Sequence, residues 1–214
     1  EEVKFNVDEM HAGAVKIKIG DPNVGIVGDI KRVEAAREAV GDSVVLMADA
    51  NCALNLEDSL TFAEELDKFD VYWFEDVLTP DHLEELAELR SCVKPILLAG
   101  GEHDFTHHNF ASIAKANALD LWQPDVTWCG GITAGLRIIQ LAREVGVPVI
   151  PHRGGEIWGL HLLAATGCGD LAETMPLRWT ESSDLDFHSN ALWLDEPLVS
   201  DGYIAPLDRP GFGV

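Results

Sequence analysis

Seven short apolar runs alternate along the chain with six amphipathic stretches, and this alternation leaves few folds open. The runs are AVKIKI (14–19), SVVLMAD (43–49), VYWFED (71–76), PILLAG (95–100), LDLWQPD (119–125), VPVIPH (147–152) and DLAET (170–174). Between them GDIKRVEAAREAV, LEDSLTFAEELDKF, PDHLEELAELRS, FTHHNFASIAKAN, ITAGLRIIQLAREVG and EIWGLHLLAAT read as helices, several introduced by Asp, Asn, Thr-Pro or Gly start signals. Strands and helices repeated in this order mean parallel strands joined by crossover helices.

The ends of the runs carry the chemistry. Lys18, Asp49, Glu75, Glu102, Asp125, His152 and Glu173 each close a run, successive members lying 21 to 31 residues apart. In a closed (β/α) barrel those ends meet at one mouth, where barrel active sites sit. An open doubly wound sheet would spread them along an edge, so seven convergent groups favour the barrel. Taken singly, each acid reads as a helix cap, and the lysines of VKIKIG as protection of an edge strand. Neither explains four acids recurring in register.

Side chains alternate across a strand, so Lys16 and Lys18 face the same way and call for anions. Asp49, Glu75 and Glu102 come from three consecutive strand ends. Three carboxylates without nearby thiolates suit Mg²⁺ before Mn²⁺ or Ca²⁺, and the open positions make such a site catalytic in character. His103 would line the mouth, whereas His107 and His108, adjacent on one helix, would diverge at the surface. Lys18 on one flank of the metal and His152 on the other form a pair of bases. Lys16 is expected to lower the pKa of Lys18, and Asp125 to fix the tautomer of His152. Two bases across a metal-bound anion suit proton abstraction beside a carboxylate, Lys16 helping to stabilise the enediolate.

The net charge of −22, from 37 acidic and 15 basic residues, argues against a nucleic-acid surface or an anionic membrane as partner. No apolar run approaches the length of a membrane span, and no signal-peptide pattern opens the chain. Cys52, Cys92, Cys129 and Cys168 are scattered, with no zinc-like spacing. Buried thiols in a reducing cytoplasm are therefore expected rather than a disulfide framework.

The motifs KIK (16–18), DAN (49–51), FED (74–76), GGE (100–102), QPD (123–125) and PH (151–152), in this order and spacing, resemble those of the enolase superfamily, mandelate racemase subgroup. The stretches GEH, QPDVTWCGGIT and LDEPLVSDGYIAPLDRPGFGV are similar to the rhamnonate dehydratase branch of its sugar-acid dehydratases. The resemblance implies an α/β fold, an enolase-type (β/α)7β TIM-like barrel from which the first strand and the N-terminal capping domain are absent. It implies a Mg²⁺-dependent hydro-lyase that removes the α-proton of an aldonate and expels the β-hydroxyl, giving a 2-keto-3-deoxy acid. Carried over, Asp49, Glu75 and Glu102 bind Mg²⁺, and Lys18 and His152 with Asp125 are catalytic. Lys16 and Glu173 contact the substrate carboxylate, with Asn51 nearby. The KIK pair departs from the rhamnonate branch, which points to a related aldonate or a different C2 stereochemistry; RGGEIWGLH after His152 departs too. His161 is expected to pack rather than to catalyse.

Residues 1–175 are expected to form the barrel, with 1–13 a shortened remnant of the first helix. Residues 176–214 are expected to wrap it and contact a cap supplied by a longer chain or a partner. A small-molecule sugar acid is the expected ligand, a homo-oligomer the expected assembly and the cytoplasm the expected location. Two alternatives stay open: a racemase or epimerase of a 2-hydroxy acid, in which the same base pair returns the proton to the opposite face, and a non-catalytic barrel remnant.

Overall fold

The fold comes from a computed structural model that describes residues 1–174 and 197–213. Five strands form one parallel sheet in the sequential order β1 (Ala14–Lys18), β2 (Val45–Asp49), β3 (Val71–Glu75), β4 (Leu97–Gly100), β5 (Leu121–Trp122). An order that never reverses is that of a curling barrel wall, not of a doubly wound sheet. The helices are α1 (Glu2–Asp8), α2 (Gly25–Val40), α3 (Leu56–Leu66), α4 (Leu83–Cys92), α5 (Thr106–Ala116), α6 (Gly131–Val145) and α7 (Ile157–Thr166). Each packs on the next, forming an outer layer. None is long and apolar enough to cross a membrane.

Strand parity sorts the core into two layers. Val15, Leu46, Ala48, Phe74, Leu98, Trp122 and Val149 face outward and join helix residues such as Phe62, Phe110 and Ile138. Met47, Trp73, Ala99, Leu121 and Ile150 face inward as a smaller cluster. Burial of each large side chain contributes roughly 1.5–3 kcal/mol, so the more populous outer layer dominates stability. The inner cluster is a floor for what stands above it. Two residues further along the same inward faces come Asp49, Glu75 and His152.

The last two runs depart from expectation. The sixth contributes one parallel bridge, Trp122 to Val149, with Ile150 N–H donating to Trp122 O and Trp122 N–H to Pro148 O, both at 3.0 Å. Pro148 and Pro151 bracket this segment, and neither can donate to a ladder. Residues 170–174 form no strand, because only Leu171 and Ala172 there are apolar. The described sheet is thus a partial barrel of five strands rather than seven.

Two segments outside the sheet matter for the site. Asp29 of α2 is fully buried and accepts the N–H groups of Gly20 (2.8 Å) and Asp21 (3.0 Å), while Arg32 Nη1 donates to its other oxygen at 2.8 Å. Near the C-terminus, Phe212 lies edge-on to Trp158 and His161, and His161 Nε2 donates to Phe212 O at 3.1 Å. His161 therefore packs, as the sequence suggests. Asp201 meets His11 at 2.6 Å. The expected tail begins in 175–196, outside the described residues. Of the four cysteines, all free, Cys129 is buried, Cys52 and Cys168 half-buried and Cys92 exposed, so burial is less general than the composition implied.

Candidate active site

In-register pairing makes the site. Lys18 pairs with Asp49 across β1 and β2, and Asp49 with Glu75 across β2 and β3. Three residues from distant parts of the chain thus stand side by side at one end of the sheet. Glu102 completes the row through a bend at Gly101, whose φ is +119° and where a Cβ would lie 2.9 Å from the Phe110 ring. Only glycine takes that conformation without strain. Oxygens of Asp49, Glu75 and Glu102 come within 4.8 Å of one another.

The lysines of VKIKIG both reach these acids. Lys16, whose side chain is only 14% exposed, meets Glu75, Glu173 Oε1 (2.5 Å) and Asp49 Oδ2 (3.3 Å). Burial opposes its charge, yet Glu75, Glu173 and Asp49 outweigh burial and hold its pKa above the usual lysine value. Lys18 Nζ lies 2.5 Å from Asp49 Oδ2. Here the sequence-based expectation is corrected. Burial and Lys16 do disfavour the Lys18 ammonium, but contact with Asp49 prevails and its pKa is raised, not lowered.

The acids differ in their surroundings. Burial would raise the Asp49 pKa, but Lys16 and Lys18 pull it down, and its Oδ1 accepts the Asn51 N–H at 2.8 Å. Glu75 has its pKa pushed up to about 7 by burial, only partly offset by Lys16; Trp73 Nε1 donates to its Oε2 at 2.7 Å. Glu102 is buried, with both of its oxygens turned toward histidines.

His152 stands at the far end of the row. Its Nδ1 lies 2.8 Å from Asp125 Oδ2 and its Nε2 3.0 Å from Glu102 Oε2. Asp125 is itself held by the N–H and hydroxyl of Thr127, both at 2.6 Å. Burial would lower the His152 pKa, but the Asp125 hydrogen bond, Glu173 and Glu102 together raise it. Glu173 accepts the Arg153 N–H at 2.7 Å. Burial notwithstanding, Lys16 and His152 hold its carboxyl below the usual range.

All ten residues singled out in the sequence therefore lie at one end of the sheet. Asn51 contributes its backbone N–H, its side chain being exposed. His103 turns its Nε2 toward Glu102 Oε1 (3.2 Å) and Asp76 Oδ2 (3.4 Å), and its ring is edge-on to the half-exposed Trp128. The rings of His107 and His108 lie 4.1 Å apart rather than diverging. Sequence reasoning gave no role to Asp76, Trp73 or Thr127. Asp76 is buried, and burial with Glu102 pushes its pKa up to about 9. Its signal was present in FED, directly after Glu75, and in the first glycine of GGE: a Cβ on Gly100 would lie 2.9 Å from Asp76 Oδ1.

A hard divalent cation fits the triad. The donors are all carboxylate oxygens of buried residues, and two ammonium groups already stand against Asp49 as positive charge does in such a site.

Comparison with known proteins identifies the family. The family model described as "Enolase C-terminal domain-like" matches residues 1–214. An L-rhamnonate dehydratase of Saccharopolyspora erythraea is 32% identical over 191 residues, 89% of this chain and 48% of the relative. An arabinonate dehydratase of Saccharolobus solfataricus is 32% identical over 203 residues, 93% of this chain and 52% of the relative. A crystal structure described as an enolase from Bradyrhizobium complexed with magnesium and mandelic acid superposes with a TM-score of 0.84 at 25% identity, covering 99% of this chain and 54% of that one. The chain spans about half the length of the curated relatives it matches.

Proposed function

Because the chain belongs to the enolase C-terminal domain-like family, we propose that its barrel mouth serves a Mg²⁺-dependent dehydratase of sugar acids. The observation that carries this reading is the row Lys18–Asp49–Glu75–Glu102–His152, an oxygen triad with a proton-transfer group at either end. The sugar-acid dehydratases among its relatives support the substrate class, and a neighbour with bound magnesium supports the metal. Asp49, Glu75 and Glu102 would hold Mg²⁺, which supplies electrophilic stabilisation of negative charge on the substrate carboxylate.

The chain's own groups divide the remaining work. Lys16, desolvated and cationic, binds the substrate carboxylate and stabilises charge as it develops there. Glu173, expected beside the substrate carboxylate, is an anion paired with Lys16, and so accepts a hydrogen bond from a neighbouring substrate hydroxyl instead. Lys18 rests as an ammonium against Asp49, so the group best able to accept a proton near neutrality is His152. Its Nε2 takes the α-proton, while Asp125 holds Nδ1–H and stabilises the imidazolium that forms. The electron pair of the broken C–H bond becomes the new double bond. The C–O bond on the opposite face then breaks, and the oxygen leaves as water with a proton from Lys18. The enol product tautomerises to the 2-keto-3-deoxy acid.

Incubation with Mg²⁺ and an aldonate panel in D₂O tests this division. Lys18→Met should retain α-proton exchange and lose 2-keto acid, whereas His152→Asn should lose both. Exchange abolished in Lys18→Met would overturn the assignment. The same flanking pair supports a second reading, an epimerase in which Lys18 returns a proton to the α-carbon; epimer without keto acid would favour it.

A further inference from the structure

We propose that the loops after β2, β3 and β4 build a second metal centre beside the oxygen triad, in which Cys52, Asp76 and His103 bind a divalent ion of the zinc class. A sulfur, a carboxylate oxygen and an imidazole nitrogen of these residues lie within 4.8 Å of one another. Bonds of about 2.0–2.3 Å in a tetrahedral zinc site put ligands roughly 3.3–3.8 Å apart, so modest side-chain rotation closes the cluster. His103 and Cys52 are both half-buried, leaving that rotation open.

A separate observation points to a ligand here. Asp76 is only 6% exposed, and its Oδ2 finds no hydrogen-bond donor, His103 Nε2 standing off at 3.4 Å. A carboxylate oxygen buried without a hydrogen bond, with an imidazole nitrogen 3.4 Å away, is what an unfilled coordination shell would leave. Hydrogen bonds elsewhere fix the frame around it. Cys52 N–H donates to Asp76 O at 2.5 Å, and Asp76 N–H to Ala99 O at 3.0 Å. The three ligands thus hang from adjoining backbone segments.

The two centres would select different ions. The triad offers oxygen alone, which suits Mg²⁺, whereas thiolate and imidazole with one carboxylate suit Zn²⁺ or Co²⁺. Each strand end thus supplies one ligand to each centre: Asp49 and Cys52, Glu75 and Asp76, Glu102 and His103. A fourth position is left to water, because the described residues bring only three such groups together.

Co²⁺ is the probe, titrated into the reduced protein with the triad saturated by Mg²⁺. One equivalent should generate a thiolate-to-cobalt charge-transfer band that Zn²⁺ displaces. Cys52→Ser should abolish the band and Cys92→Ser retain it. His103→Gln should weaken Co²⁺ binding by roughly tenfold or more, with thermal melts showing the variants folded. If Cys52→Ser does not fold, His103→Gln and Asp76→Asn carry the test through their Co²⁺ affinity. A wild-type titration without the band, a band that survives in Cys52→Ser, or unchanged affinity in both other variants would overturn the proposal. It is independent of which reaction the oxygen triad supports.

Discussion

Replacing Lys16 by Met removes a buried cation shared by Asp49, Glu75 and Glu173. Leaving buried charge without its partner costs about 3–5 kcal/mol, and Lys16 is buried deeply enough for that range to apply. At about 2–4 °C per kcal/mol for a domain near this size, the metal-free variant should melt roughly 6–20 °C below wild type. Proton uptake softens the loss. The Glu75 pKa is already raised to about 7 and should rise further without Lys16, so the folded state binds more protons than the unfolded one above the ordinary Glu value. Stability of the variant should therefore increase as pH falls from 8 toward 5. Mg²⁺ can take over the missing positive charge. At a hundredfold excess over Kd, Mg²⁺ adds about 2.7 kcal/mol to wild type and should add more to the variant. Differential scanning fluorimetry in chelator and in excess Mg²⁺ reads both effects. A variant that melts with wild type in chelator, or gains no more from Mg²⁺, would refute Lys16 as the counter-ion of this site.

Other outcomes follow from the same geometry. Asp125→Asn should lower the His152 pKa, since the Asp125 hydrogen bond is what chiefly offsets burial; a histidine NMR titration shows the downward shift. Losing a charge-assisted bond of about 1.5–3 kcal/mol should also slow α-proton exchange by roughly 10- to 100-fold. Gly101→Ala should destabilise by about 1–3 kcal/mol and weaken Mg²⁺ binding, both measurable by melts with and without the metal. With its thiol pushed up to about 11 by burial and Asp125, Cys129 should alkylate far more slowly at pH 8 than exposed Cys92, as peptide mass spectrometry would show.

What the sequence revealed depended on periodicity. Asp49 and Glu75 were readable because parity places them above Met47 and Trp73, and apolar alternation carries parity. Their neighbourhood was less readable. Lys16 is two residues from Lys18 in sequence, so repulsion between them was visible, but the Asp49 contact that outweighs it spans 31 residues and exists only through strand register. VPVIPH has strand composition, yet its prolines limit the described pairing to a single bridge. Asp76 stands in FED beside Glu75, but its burial follows from the bare surface of Gly100, so its signal lay in a second motif one strand further on.

The grip of Asp29 on the backbone of Gly20 and Asp21 bears on how this rim of the barrel can vary. The anchor is a helix side chain behind the wall, so Pro22, Asn23 and Val24 can vary in size and polarity without displacing the amine of Lys18. Under the dehydratase reading, selectivity for one acid over another would drift along that rim while Lys18 stays in place.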